Sequence, residues 1–149
     1  MKEVPLTVAP RRFSLPARLK SFGYAFEGIA LMLKTQHNAW VHLIVTTLVT
    51  GLAVWYRVNA SDWRWLIGAV AMVWMAEAMN TAVESLCDVV SPQYSLAVKC
   101  AKDVAAGSVL IAACAAAAIG VITFWPYFLE TAYKFQSMTL AVELARVGP

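Results

Sequence analysis

One segment of this chain carries ionisable side chains at regular intervals within a stretch that is otherwise apolar enough to cross a membrane. Residues 77–88 read EAMNTAVESLCD, with acids at Glu77, Glu84 and Asp88 and an amide at Asn80. In a helix these four side chains fall within an arc of about 80° and cover roughly 16 Å of its length. Each buried acid costs at least a few kcal/mol in a membrane. We therefore expect this polar face to contact protein, water or a bound cation, and to carry the function.

The composition places the whole chain in a membrane. Hydrophobic residues make up 60% of the 149 residues and charged residues 14%, and the mean hydropathy is +0.63. The apolar residues form blocks at about 40–56, 65–90 and 104–128, each near the roughly 20 residues that span a bilayer as a helix. The first block is short and the second is polar along one face, so a lone three-helix chain offers them little room for burial. The sequence predicts an all-α integral membrane protein with three spans that associates with itself.

The two ends of the chain differ from the spans. Residues 1–13 contain prolines and basic residues without periodicity, which predicts a disordered lead. Residues 14–35 carry apolar side chains every three or four positions, which predicts an amphipathic helix lying on the membrane surface. A helix of a soluble subdomain is the alternative, but about 25 residues leave no room for a separate core. Residues 130–149 have mixed polarity, which predicts a tail with a short amphipathic helix.

The distribution of basic residues predicts the orientation in the membrane. Six basic residues precede the first span, whereas Arg57 and Arg64 are the basic residues of the first loop. Because cytoplasmic segments carry the excess of lysine and arginine, the N-terminus is expected in the cytoplasm. The second loop, with Lys99 and Lys102, then returns to the cytoplasmic side.

The polar face suits phosphate transfer to a buried hydroxyl. The sequence contains neither a GxxxxGK[ST] loop nor a GxGxxG turn, so a standard phosphate cradle is not predicted. Glu84, nearer the cytoplasmic end, can hold a Mg²⁺ ion that bridges phosphates. Glu77 lies about 10 Å deeper by helical rise and can take a proton from a lipid hydroxyl. Lys102 either reaches the polyphosphate or pairs with Asp88 or Asp103, and the spacing leaves both interpretations open.

The same residues resemble a known family. Residues 77–88, followed by Ala101-Lys102-Asp103, resemble the signature of the prokaryotic diacylglycerol kinase family, small three-span membrane kinases that include undecaprenol kinases. The resemblance extends over about residues 18–128. Further positions that fit the family are Gly23, Tyr24, Gly28, Asn38 and His42.

The resemblance implies a homotrimer in the bacterial cytoplasmic membrane, with active sites shared between subunits and Mg-ATP entering from the cytoplasm. Glu77 would be the general base, and Glu84 would be a metal ligand. The ATP-binding residues would be Tyr24, Gln36, Glu84, Gln93, Tyr94, Ser95, Lys102 and Asp103. The substrate-binding or supporting residues would be Asn80, Asp88 and Arg18.

The chain departs from the family pattern at two positions. A second metal-binding glutamate, frequent in the family, falls here on Gln36, whose amide can offer an oxygen but no charge. Trp40 replaces a basic residue that is often found in the family. Neither change touches the polar face of residues 77–88, so the expected activity is retained.

Three functions from different classes account for the polar face. The first is ATP-dependent phosphorylation of a membrane lipid alcohol, with diacylglycerol as the first choice of substrate and undecaprenol next. The second is a small transporter in which Glu77 binds protons or cations in exchange for substrate. The third is a structural subunit whose acids only join helices, a costly use of three carboxylates where small residues serve as well. A nucleic-acid partner is not indicated.

Overall fold

The chain folds into α-helices throughout the region that the structure describes. The computed structural model describes residues 14–93 and 95–147, apart from the side chains of Ala145 and Val147. The helices are α1 (Leu15–Thr35), α2 (His37–Trp55), α3 (Ala60–Val90) and α4 (Leu96–Val147). The predicted lead, residues 1–13, lies outside the described residues. Helices α2, α3 and α4 are each long and apolar enough to cross a membrane, which confirms the predicted all-helical class and its three candidate spans.

Two helices are longer than the apolar blocks that predicted them. Helix α3 begins at Ala60 rather than near residue 65, because the Asn59 side chain accepts hydrogen bonds from the backbone N–H groups of Ser61 and Asp62 and so caps the helix. Helix α4 begins at Leu96 and runs 52 residues, through Pro126, to Val147. Residues 130–147, the described part of the predicted tail, are therefore the continuation of α4.

Helix α1 contacts the rest of the chain near its C-terminal end. Residues 14–31 are exposed, and Met32 is the buried residue of this helix. The chain then turns at Gln36, whose extended backbone separates α1 from α2. The predicted position of α1 on a membrane surface stays a prediction.

Helix α3 has one face that is buried along most of its length. Its buried residues are Leu66, Ala69, Val73, Glu77, Asn80 and Thr81. These positions recur every three or four residues, so they form one continuous stripe. The stripe is apolar in its first half and polar from Glu77 onward, so the packing that holds the bundle together also encloses the polar face.

Small residues bring α4 against α3. These two helices form the most extensive contact in the described chain, and Ala112 is buried while Ala116 is half-buried. Short side chains let two helix backbones approach closely. The prediction that the small residues of the last span lie at a helix interface is confirmed within the single chain at these alanines. Gly107 and Gly120 do not contribute in the same way, since a Cβ atom at either position would meet nothing within 4 Å.

A hydrogen-bonded cluster joins α4 to the turn between α2 and α3. The Tyr127 hydroxyl accepts from the backbone N–H of Asn59 at 3.1 Å and donates to the Asp62 carboxylate at 2.7 Å. The ring of Tyr127 lies 6.2 Å from that of Tyr56. Beside it, Ala53, Val58 and Leu66 form a buried apolar cluster. The end of the bundle opposite Gln36 is therefore fixed by polar and aromatic contacts together.

Replacing Tyr127 by phenylalanine tests this cluster. The Y127F variant keeps the ring but removes the acceptor of the Asn59 N–H and one of the two donors to the Asp62 carboxylate, which keeps the Asn59 side-chain amide, so we expect the free energy of unfolding to fall by about 1–2 kcal/mol. Unfolding in detergent, followed by circular dichroism, measures the change. The matched control is Y133F, because Tyr133 is exposed on α4. An equal loss in both variants would contradict the assigned role.

Candidate functional site

The polar face of α3 passes from complete burial to exposure over three turns. Glu77 has none of its surface exposed and Asn80 only 4%, whereas Glu84 is half-buried and Asp88 is exposed. The expectation that a lone chain offers little room for this face was wrong at Glu77 and Asn80. The reason is that both α2 and α4 lie against α3, so these two side chains are enclosed without a second subunit.

Two amides hold the Glu84 carboxylate. The Nδ2 of Asn80 donates to one carboxylate oxygen at 3.1 Å, and the Nε2 of Gln36 donates to the other at 3.3 Å. Gln36 reaches this position from the extended residue between α1 and α2. Its amide therefore meets Glu84 as a donor, whereas the sequence suggested an oxygen ligand for a metal. Both residues expected beside Glu84 are nevertheless brought to it.

Glu77 faces a histidine instead of an amide. The Nε2 of His42 on α2 lies 3.7 Å from Oε2 of Glu77, and the His42 side chain is 15% exposed. This distance is too long for a hydrogen bond but suits an ion pair when the imidazole is protonated. No other basic group in the described part of the chain lies within ion-pair distance of Glu77.

Four buried polar atoms near this contact have no hydrogen-bond partner among the residues that the structure describes. They are Nε2 of His42, both carboxylate oxygens of Glu77, and Oδ1 of Asn80. A buried polar atom without a partner costs about 1–3 kcal/mol, and a charged one costs more. Such a group is typical of a site whose partners are supplied by a ligand. The free atoms therefore mark where a polar ligand would bind.

Ion pairs line the exposed end of the face. Lys102 of α4 donates to Asp88 of α3, so the structure contains one of the two arrangements that the sequence left open for this lysine. Asp103 pairs with Lys99 on the same helix at 2.5 Å. Lys102 thus meets α3 at Asp88, about one helical turn beyond Glu84.

Among the other predicted site residues, Tyr24, Gln93 and Ser95 are described by the structure and have no hydrogen bond to Glu84. The Tyr24 ring lies under the Lys20 ammonium group at 5.8 Å. The Gln93 carbonyl accepts from Ser91, and Ser95 is half-buried just before α4. Arg18 lies in the first turn of α1. Tyr94 lies outside the described residues.

An apolar cavity of about 550 Å³ opens beside His42, between α2, α3 and α4. It extends along α2 from Val41 to Leu52, roughly 16 Å by helical rise, and His42 and Thr46 are among the few polar side chains in its wall. Alanines and Gly120 of α4 leave the space open on one side. The cavity suits a hydrocarbon chain whose polar end lies near His42.

The polar groups lie at two levels of the bundle. Gln36 meets Glu84, and His42 meets Glu77, as expected for antiparallel helices whose partners are spaced six and seven residues apart. By helical rise the two levels are about 10 Å apart. The first level adjoins the exposed ion pairs, and the second adjoins the apolar cavity.

The sequence named the acids of α3 as site residues but did not foresee the contact of His42 with Glu77. His42 was identified from the sequence only as a position that fits the family, whereas in the structure its Nε2 faces Glu77 and has no hydrogen-bond partner among the described residues. One available signal was its position five residues after His37, inside the first apolar block. Neither spacing nor composition indicates which side chain of another helix it meets.

A stability measurement tests the burial of Glu77 without reference to any activity. Replacing the carboxylate by an amide of the same shape, E77Q, removes a buried charge, so we expect the free energy of unfolding to rise by about 1–3 kcal/mol. Detergent unfolding at neutral pH measures it. The exposed Glu130, paired with Lys134, provides the control variant E130Q, which should unfold as the wild type does. A loss of stability in E77Q would mean that the contact with His42 outweighs the cost of burying the carboxylate, and would contradict the expected gain.

Comparison with known proteins relates the chain to bacterial lipid kinases. Residues 23–124 match the family model described as prokaryotic diacylglycerol kinase. The chain is 36% identical to a diacylglycerol kinase of Synechocystis sp. over 77% of its length and 66% of that protein, so it spans just under two thirds of this relative. It is 28% identical to an undecaprenol kinase of Bacillus subtilis over 72% of its length and 87% of that protein. It is also 27% identical to a diacylglycerol kinase of Escherichia coli K12, over 74% and 90% respectively.

Proposed function

Because the chain belongs to the prokaryotic diacylglycerol kinase family, we propose that it transfers the γ-phosphate of ATP to the hydroxyl group of a membrane lipid. The observation that carries this proposal is the division of the polar face into two levels. Glu77 is wholly buried and lies 3.7 Å from His42, which lines the apolar cavity, whereas Glu84 lies near the exposed ion pairs. A water-soluble donor and a lipid acceptor need this separation.

The apolar cavity is proposed as the site of one hydrocarbon chain of the lipid. Its walls are almost entirely apolar and its polar residue nearest the acids is His42. A lipid with its chain along α2 would bring its hydroxyl to the level of Glu77. The unpartnered oxygens of Glu77 can then accept a hydrogen bond from that hydroxyl.

The nucleotide would bind at the level of Glu84. The groups available to a metal ion at this level are the Glu84 carboxylate and the amides of Asn80 and Gln36 that contact it. Oδ1 of Asn80 is buried and has no hydrogen-bond partner among the described residues. Oxygen ligands of this kind fit Mg²⁺, which usually binds to one or two carboxylates together with nucleotide phosphates and water. Mg²⁺ bound there would offset charge on the phosphates. Lys102, which pairs with Asp88, is a mobile cation within the same end of the bundle.

Catalysis on this proposal consists of positioning and one proton transfer. The lipid oxygen attacks the γ-phosphorus while the bond to the β-phosphate oxygen breaks, and the electron pair of that bond leaves with ADP. Glu77 takes the proton from the attacking hydroxyl. Asn80 and Gln36 hold the Glu84 carboxylate in place. Burial of Glu77 excludes water, which would otherwise compete as acceptor.

Diacylglycerol is the proposed acceptor, with phosphatidic acid as the product. Two of the compared relatives are named diacylglycerol kinases, and the one with the highest identity among them is of this kind. Undecaprenol is the second candidate because another relative is named undecaprenol kinase, and the chemistry is the same. Proton-coupled transport is not favoured by membership of this family.

The proposed setting is a bacterial inner membrane, with the N-terminus and the Glu84 end in the cytoplasm, where ATP is available. The excess of basic residues before α2 supports this orientation. Self-association, as a trimer by analogy with the family, would cover the many large apolar side chains that are exposed on α2 and α4.

Phosphate transfer in mixed micelles tests the function. Purified protein is given ATP and Mg²⁺ with diacylglycerol and undecaprenol in parallel, and we expect phosphorylated diacylglycerol. The E77Q variant should lose about 10²- to 10⁴-fold in kcat because the proton acceptor is absent, while E130Q should match the wild type. Transfer to undecaprenol alone would replace diacylglycerol as the proposed acceptor. The absence of transfer to either lipid by the wild type would contradict the proposed kinase function.

Replacing Gln36 by glutamate tests whether Mg²⁺ binds at the level of Glu84. In Q36E a second charge would face Glu84, so we expect the half-saturating concentration of free Mg²⁺ to fall roughly three- to tenfold. Activity titrated against free Mg²⁺ and Mn²⁺ binding followed by electron paramagnetic resonance both measure it. The control is Q136E, the same change on the exposed distal part of α4. Equal metal dependence in Q36E and the wild type would remove Gln36 from the metal site.

A further inference from the structure

His42 is the feature of the site that the proposed chemistry does not yet use. Its Nε2 is buried without a hydrogen-bond partner and lies 3.7 Å from the Glu77 carboxylate. Its ring packs edge-on against Trp74 at 6.4 Å, and Trp74 is itself held by a hydrogen bond to Thr46 at 3.1 Å. The imidazole is therefore fixed against α3.

Glu77 needs a partner of opposite charge to act as a base. A buried carboxylate without a hydrogen bond is costly to keep charged unless a cation lies nearby. The basic group within ion-pair distance of Glu77 among the described residues is His42 of α2. The next acid on its own helix is Glu84, seven residues further on. From α4, the side chains that share the cavity with His42 are apolar, among them Ala113 and Ala116. At the level of Thr81, one turn further along α3, the α1 side chains are apolar too, Met32 among them.

The two groups also differ in access to solvent. Glu77 is completely buried, while His42 keeps 15% of its side chain exposed. His42 lies five residues into α2, about 7 Å by helical rise from the start of that helix. His42 is therefore the more exposed member of the pair, and a proton that arrives on Glu77 would leave through it.

We propose that His42 and Glu77 share one proton, so that His42 keeps the Glu77 carboxylate charged for catalysis and releases the proton taken from the lipid hydroxyl. This inference rests on the proposed function and adds to it a positioning residue that acts through Glu77. Before transfer the pair carries one proton, on His42. The substrate proton then moves to Glu77 as the oxygen–phosphorus bond forms, and the pair carries two. His42 releases one of them to water, and the remaining proton passes from Glu77 to His42, which restores the first state.

Chemical rescue separates this role from a purely structural one. H42A is measured for lipid phosphorylation with and without added imidazole, and with pyrazole, a ring of the same size that is too weakly basic to become a cation near neutral pH. We expect kcat of H42A to fall at least about tenfold while KM for ATP changes by less than about twofold, because the nucleotide level is distant. Imidazole should restore activity and pyrazole should not.

A second variant keeps the space filled. In H42Q the side chain retains a hydrogen-bonding nitrogen but cannot carry a proton, so its kcat should fall as in H42A. The control is H37Q, because His37 is exposed at the start of α2 and should behave as the wild type. Full activity in H42Q, rescue by both rings, or rescue by neither would overturn the proposal. Wild-type transfer is measured alongside, and its absence would refute the lipid kinase function itself instead of the role of His42.

Discussion

A carboxylate without a hydrogen bond inside a helical bundle is the constraint on which this structure depends. Glu77 is fully buried although its side chain has no hydrogen-bond partner. A group of this kind lowers stability, because folding removes it from water without providing an equivalent contact. The bundle bears this cost through the apolar packing of Leu66, Ala69 and Val73 on the same face of α3 and through the close approach of α4. Apolar packing elsewhere in the bundle therefore offsets the free-energy cost of burying Glu77.

The first level of the site has the opposite character. Glu84 is held by Asn80 and Gln36, and its surroundings become progressively more exposed toward Asp88. Because Gln36 lies at the joint between α1 and α2, a displacement of α1 would act directly on Glu84. The proposed nucleotide level is thus tied to a helix whose buried contact lies near one end, whereas the proposed lipid level lies where α3 is buried among the other helices.

Much of this arrangement could be predicted from the sequence, and the features that could not be predicted have identifiable physical reasons. The three spans and the polar face were predicted because hydropathy and the 3.6-residue period depend only on local order. The start of α3 was missed because the Asn59 cap adds helix before the apolar block begins. The tail was missed because mixed polarity does not reveal whether a helix ends. The His42 contact with Glu77 and the donor role of Gln36 depend on how separate helices pack, which no local pattern records.

The two levels of the polar face have a consequence for how the rate of such a protein is expressed. On the proposed function, one substrate is counted in moles per litre of cytoplasm and the other as a mole fraction of the bilayer. Diluting the membrane with inert lipid would then slow the reaction even though the total amounts of enzyme, ATP and acceptor stay fixed. This surface dilution would arise because the proposed acceptor is confined to the bilayer, whereas ATP would reach the Glu84 level from water. On the proposed function, α3 extends from the aqueous substrate to the membrane substrate, so the rate depends on a bulk concentration of ATP and on a surface concentration of the lipid.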